Sequence, residues 1–132
     1  MKNPMNMEGR TVIVTGASQG VGAAVAEQIV DLGGKAVLVD VKEDKLHDVA
    51  DKLGRDNTEV HVGSVADPKF VEEMVQRVAD KNGVINGLVN NAGITRTAMI
   101  DKMSMEYWNQ VIDVNLTGVY LCLQAVGRHM LA

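Results

Sequence analysis

Short apolar runs alternate with longer segments of helical period along this chain. Thr11–Thr15 (TVIVT) is brief and β-branched, as expected of a strand buried on both faces. Gly16–Gly22 follows as a glycine-rich turn. Val21, Val25, Ile29 and Leu32 then recur at helical spacing, and Gly33–Gly34 stops that helix. Ala36–Asp40 (AVLVD) predicts a second strand. Leu46, Val49, Ala50 and Leu53 form an apolar stripe one helix face wide, ended by Gly54. Glu59–Val62 predicts a weaker third strand. Asp67-Pro68 opens the next helix as N-cap and first helical residue. Its core face is Phe70 or Val71, then Met74, Val75, Val78 and Ala79. Glu72 and Glu73 are expected in its first turn and Arg77 and Lys81 towards its end, matching the helix dipole. Gly87–Asn91 (GLVNN) predicts a fourth strand, and Ala92–Met103 a loop with room for one helical turn. Ser104 then caps a helix that can run to the last residue.

Strand and helix alternate four times. Repeated βαβ units with right-handed crossovers imply a parallel sheet covered by helices on both faces. The expected fold class is α/β, a Rossmann-like doubly wound sheet with strand order 3-2-1-4 for the part present. No linker, repeat or low-complexity segment divides the chain, so residues 1–132 are expected to form one domain.

Composition narrows the class of function. Hydrophobic residues make up 46% and charged residues 23%, which excludes a disordered chain. The 13 basic and 17 acidic residues leave a net charge of −4. That disfavours a dedicated nucleic-acid binder and electrostatic docking on an anionic membrane. No apolar run is long enough for a membrane helix, and Met1–Arg10 has no signal-peptide stretch. A single cysteine, Cys122, excludes an internal disulfide and fits a reducing compartment, so a cytoplasmic protein is expected. His47, His61 and His129 are widely separated, and no metal site is expected.

Three features carry chemistry. The first is Thr15–Gly22, a glycine loop between a strand and a helix. Glycines permit positive φ and close backbone approach, and the helix start offers unpaired N–H groups to a pyrophosphate. The alternative is a tight turn that binds nothing. The second is Asp40, at the C-terminal end of the second strand. A carboxylate there accepts hydrogen bonds from both hydroxyls of an adenosine ribose and repels a 2′-phosphate. This favours NAD over NADP, although Lys42 is close enough to blunt the repulsion. The alternative is a solvated aspartate at a strand end. The third is Asn90-Asn91-Ala92-Gly93, after the fourth strand. Strands 1 and 4 flank the point where the sheet order reverses, so this segment and Gly16–Gly22 line one crevice. Asparagine amides there can tie two loops together, which is equally a purely structural role.

These motifs resemble the short-chain dehydrogenase/reductase family over essentially the whole chain. Thr15–Gly22 matches the family's Thr-Gly-x-x-x-Gly-x-Gly, Asn90–Gly93 its Asn-Asn-Ala-Gly, and Trp108–Gly118 its central helix. The resemblance implies cofactor contacts at Gly16, Ser18, Gln19, Gly20, Val21 and Gly22. It also implies adenine contacts at Ser64 and Val65, and nicotinamide-ribose contacts at Asn90, Ala92 and Gly93. Ser64 departs from the family's usual aspartate or asparagine, and Asn86 stands where aspartate is common. Gln19 occupies a position that is often arginine in members preferring NADP. Asn115 matches the catalytic asparagine, whose backbone carbonyl holds a water in a proton relay where the helix is distorted. The stretch Asn91–Arg96 is similar to 3-oxoacyl-acyl carrier protein reductases, which usually prefer NADP.

The same resemblance implies a serine and a Tyr-x-x-x-Lys pair for acid–base work, and hydride transfer between a nicotinamide and an alcohol or ketone. Tyr107 and Tyr120 have Val111 and Gln124 four places on, so neither fits that pair. The fourth strand, expected to be central, would be an edge, and the last helix is apolar on more than one face. A truncated cofactor-binding half is therefore expected, inactive alone; the resemblance implies a homo-oligomer paired through the last helix, the alternative being that this face packs under a missing C-terminal segment. The competing expectations are a non-catalytic NAD-binding module and a fragment that folds only against a partner.

Overall fold

Alternation along two central strands decides which helix each side chain meets. The computed structural model describes residues 3–132; Met1 and Lys2, at the start of the segment read as lacking a leader, lie outside the described residues. β1 (Thr11–Thr15) lies between β2 (Lys35–Asp40) and β4 (Gly87–Val89), and β3 (Thr58–Val62) lies outside β2. All pairings are parallel and the order is β3-β2-β1-β4, as expected.

On one face of the sheet Val12, Val14, Ala36 and Leu38 pack on α1 (Gly20–Asp31) and α2 (Glu43–Leu53), through Ala26, Ile29, Leu46 and Ala50. On the other, Ile13, Val37 and Val39 pack on α3 (Pro68–Asn82) and α5 (Gly118–Leu131). Val71, Met74, Val75 and Val78 of α3 join Cys122 and Val126 of α5 there. Strand side chains alternate between faces, so β-branched residues at successive positions feed both cores. Right-handed crossovers put α1 and α2 on one face, and the return to β4 puts α3 on the other.

The helix ends follow local chemistry. Asp67 accepts from Lys69 N and Phe70 N, with Pro68 first in α3. Ser104 accepts from Tyr107 N at 3.0 Å and opens α4 (Met105–Ile112). At the base of the sheet Asn86 Oδ1 accepts from Thr11 N at 2.8 Å, a bond an aspartate would make equally.

Four expectations need correction. β4 ends at Val89, because Asn91 N turns back to Val89 O and leaves the ladder. β2 and β3 each begin one residue earlier, at Lys35 and Thr58. Val21 is not on the inner stripe of α1 but 70% exposed. The buried stripe is Gly22, Ala26 and Ile29, because only a glycine fits against the loop at that turn. Glu72 and Glu73 fall in the second turn of α3, since Pro68 starts it. The last helix carries the distortion expected at Asn115: a π turn, Asp113–Thr117, joins α4 to α5. The loop before it holds the single turn it had room for, a 3₁₀ turn at Ile100–Lys102.

The last helix is two-faced. Cys122 and Val126 are buried, while Trp108, Leu116, Tyr120 and Leu123 face solvent. Among the described residues β4 pairs only with β1, and no helix is long and apolar enough to cross a membrane.

Burial raises the Cys122 thiol from 9.0 to about 11. Its folded value lies above its unfolded one, so the stability it contributes is intact below about pH 9 and lost as pH climbs towards 11. A thiol-specific reagent at pH 8 should leave the native protein unlabelled and label it fully once urea unfolds it. Fast labelling of the native chain would mean that α5 does not cover this core.

Candidate functional site

The site lies at the C-terminal ends of β1 and β4, where the sheet order reverses. Its first element is a hydroxyl. Thr15 Oγ1 donates to Val89 O at 3.3 Å and accepts from the backbone N–H groups of Asn91 and Ala92, both at 3.0 Å. A hydroxyl has one donor and two acceptor positions, and all three are used. Asn91 adds its amide, donating to Thr15 O and Gly16 O at 3.2 Å. The loop after β1 and the loop after β4 are thereby one unit.

That closeness fixes the glycines. Gly16 has φ +65°, and a Cβ on it would lie 2.9 Å from both Ala92 Cα and Asn91 Nδ2. A Cβ on Gly22 would meet the Gly16 carbonyl and the Asn91 amide. Gly20 differs: it has φ +57° and open space above it. The first backbone hydrogen bond of α1 runs from Ala23 N to Gln19 O at 3.3 Å, which leaves the amides of Gly20, Val21 and Gly22 free of intrahelical partners. The first turn of α1 carries no acidic residue to compete for them. Open space over a glycine, unpaired amides and the positive end of a helix together fit a pyrophosphate.

Asp40 closes the other side. Its Oδ2 accepts from Ser18 N at 3.1 Å, and its Oδ1 from Val41 N at 2.7 Å and Lys42 N at 3.3 Å. The carboxylate is therefore held in place by main chain. Lys42 does not reach it; Lys42 Nζ and Lys45 Nζ both donate to Gln19 Oε1 at 3.1 Å. None of the ion pairs among the described residues involves Asp40.

Between these walls is a crevice of about 350 Å³. Of the residues read from sequence, Gly16, Gln19, Gly20 and Val21 line it from the loop and α1, and Asp40, Ser64 and Val65 from β2 and the turn after β3. Ala92 and Gly93 line it from the β4 side. Ser18, Gly22, Asn90 and Asn115 do not. Ser18 Oγ, within the loop itself, is buried with no partner, the one such side-chain atom among the described residues. Gly22 is packing, as above. Asn90 Nδ2 donates to Val119 O at 3.4 Å, tying the β4 loop to α5. Asn115 brackets Ile94: Oδ1 accepts from Ile94 N at 2.8 Å and Nδ2 donates to Ile94 O at 2.9 Å. Ile94 in turn lines the crevice.

Sequence reasoning named Thr15, Ile94 and Val114 within its motifs without giving them a role of their own, and it passed over Lys45. Thr15 carried the signal of a polar β-branched residue ending a strand, but a strand threonine ordinarily needs no such role. Val114 reaches the crevice only through the π turn. Among the described residues no three His, Cys, Asp or Glu side chains converge.

Fold and crevice define a doubly wound domain of the kind that binds a nucleotide cofactor. The family model for short chain dehydrogenases matches residues 10–132, and the chain belongs to that family. It is 36% identical over 127 residues to the 3-oxoacyl-[acyl-carrier-protein] reductase FabG of Escherichia coli, covering 96% of this chain and 52% of that one. It is also 36% identical to D-threitol dehydrogenase of Mycolicibacterium smegmatis, covering 95% of this chain and 49% of that one. Among solved structures, a short-chain glucose/ribitol dehydrogenase from Brucella melitensis superposes with a TM-score of 0.90 at 29% identity, over 94% of this chain and 51% of that one. A metagenomic short-chain oxidoreductase in complex with NADP gives 0.89 at 31% identity, over 94% of this chain and 57% of that one. The chain thus spans about half the length of the curated relatives it matches.

Thr15→Val keeps the shape and removes the hydroxyl. It leaves the part-buried Ala92 N–H without its acceptor, at a cost of about 1–3 kcal/mol, and leaves Asn91 N–H with Val89 O alone. The expected result is a lower urea midpoint with an unchanged denaturant slope, and faster amide exchange at Asn91 and Ala92. Unchanged exchange there would remove Thr15 from its role as the clamp.

Proposed function

We propose that residues 1–132 act as the cofactor-binding unit of an NAD(P)-dependent oxidoreductase that interconverts a hydroxyl and a carbonyl, with NAD preferred. One observation carries this reading: the glycine loop and the Asn91–Gly93 loop, locked by Thr15 and Asn91, and Asp40, held by Ser18 N of that glycine loop, surround a single crevice. The free amides of Gly20, Val21 and Gly22 would hold the pyrophosphate, and Asp40 the adenosine ribose hydroxyls. Ser64 and Val65 would face the base. Ala92, Gly93 and Ile94 would border the nicotinamide ribose, with Asn90 and Asn115 holding their backbone in place. When bound, the nicotinamide supplies the hydride donor or acceptor. Asn115 is assigned the further role of offering its carbonyl to a relay water, supported by the π turn, which breaks regular helix bonding at that residue. Neither Tyr107 nor Tyr120 is assigned acid–base work.

The NAD preference rests on Asp40, whose negative charge is not neutralised by an ion pair and would oppose a 2′-phosphate. The substrate class is an alcohol or ketone; the names of the relatives support both a carrier-bound 3-oxoacyl group and a small polyol. The single cysteine supports a reducing, cytoplasmic setting. The solvent-facing Trp108, Leu116, Tyr120 and Leu123 support a homo-oligomer formed through the last helix. In sedimentation, replacing Leu116 and Leu123 by serine should shift the protein to monomer; an unchanged monomer in both forms would overturn that pairing.

Calorimetry on this chain should give tighter binding for NAD than for NADP by about tenfold, a difference near 1.4 kcal/mol. Asp40→Asn should narrow that gap. Tighter NADP binding would reverse the preference and give Lys42 and Lys45 to the 2′-phosphate. Turnover is assayed on the protein as its gene encodes it, following NADH consumption with 3-oxoacyl thioesters and with ketoses. NAD binding without turnover on either would leave a binding module and sink the oxidoreductase reading.

A further inference from the structure

We propose that Gly118 is a positioning residue for the adenosine end of the crevice, acting through Val65; this rests on the dinucleotide reading above. Gly118 closes the π turn, its N–H donating to Asp113 O, and begins α5. It is buried against the turn that follows β3. A Cβ on Gly118 would lie 2.6 Å from Val65 Cγ2, 3.2 Å from Val65 Cβ and 3.4 Å from Asp113 O.

The decisive contact is with Cγ2, which has few χ1 wells to escape into, whereas the approach to Cβ is eased by a shift of a few tenths of an ångström. The backbone of Val65 is also held. Ser64 Oγ accepts from Ala66 N at 3.1 Å and Ser64 O from Asp67 N at 3.1 Å, so the turn is tied on both sides of it. On its inner side Val65 belongs to the core formed with Val71 and Cys122. What little of Val65 is exposed lines the crevice. A side chain at position 118 therefore has two outlets: it drives Val65 into the crevice, or it lifts α5 from the sheet.

The same segment builds a second wall directly, because Val114 of the π turn lines the crevice. Residues 113–118 thus set two surfaces of the slot, one by contact and one through Val65. A flat base in a slot depends on both walls, since a shift of 0.5–1 Å forfeits roughly a quarter to a half of each dispersion contact. A glycine that served helix packing alone would affect stability and leave ligand affinity unchanged.

The test is a double-mutant cycle on this chain, with NAD and 5′-AMP as probes in calorimetry and urea unfolding in parallel. Gly118→Ala should weaken both ligands by about tenfold, the scale of mild overpacking. In a Val65→Ala background, where the γ-methyls are gone, the same change should cost less than about twofold. Equal losses in the two backgrounds, or no loss in either, overturn the inference while the dinucleotide reading stands. Should Gly118→Ala alone fail to fold, Gly118→Ala with Val65→Ala is read against Val65→Ala: folded protein of matching 5′-AMP affinity supports the inference, and failure to fold or to match overturns it. If the unsubstituted chain binds neither probe, the dinucleotide reading fails and the inference falls with it.

Discussion

The winding of the sheet reverses between β1 and β4, and everything at the site depends on how that parting is held. Two strands that run side by side send their chains away in opposite directions at this point, one into α1 and one into the loop before α4. Left alone, the two loops would be separate surface segments, each with its own freedom. The Thr15 hydroxyl removes that freedom by taking two backbone partners from the opposite loop and one from the end of β4, with no hydrogen-bonding capacity left over. The glycines then follow by necessity: Gly16 and Gly22 lack side chains because the Asn91 amide and the Ala92 backbone already occupy that volume. A crevice whose walls are fixed before a ligand arrives loses less entropy on binding than one that must assemble.

The second fixed point is the π turn. One extra residue in a helical turn weakens the backbone ladder, so such turns survive where something compensates. Here Asn115 makes two hydrogen bonds at 2.8 and 2.9 Å to the two polar groups of Ile94. The distortion swings Val114 to the crevice and ends on Gly118, which can approach Val65 closely. Helix irregularity and pocket shape are therefore one feature, set by residues far apart in the chain from the glycine loop.

This division explains what could be read from sequence. The four strands and their order were legible because β-branched runs and glycine stops report directly on local conformation. Asp67-Pro68 and Ser104 were legible as helix starts for the same reason, since a cap acts on its own next few residues. Asp40 was legible from its place at a strand end. What escaped depends on contact between distant segments. Val21 satisfies helical periodicity, but Gly22 must sit against Gly16, and that turns α1 until Val21 faces outward. Asn90 and Asn91 satisfy a strand pattern, but their partners are Val119 and Thr15, so they leave the ladder. Thr15 looks like one more strand residue until the opposite loop is in view.

Electrostatics makes the same point most sharply. A net charge of −4 describes an acidic chain, and composition alone argues against a nucleic acid or an anionic membrane as a partner. The fold overturns that average locally. The start of α1 has no acidic residue in its first turn, its N–H groups are unpaired, and two lysines are gathered on Gln19 at its edge. Asp40 lines the same crevice, its carboxylate held by three backbone hydrogen bonds, one of them from Ser18 of the glycine loop. Fields fall off within roughly a Debye length, about 8–10 Å at ordinary salt, so acids farther away count little here, while Glu43 and Asp44 stand beside the two lysines in the first turn of α2. A neutral glutamine is what lets the two ammoniums sit together: an arginine at position 19 would repel them, and a carboxylate would cancel them. The charge a ligand meets is thus decided by which few side chains the loops bring together, and the sum over the sequence has little bearing on it.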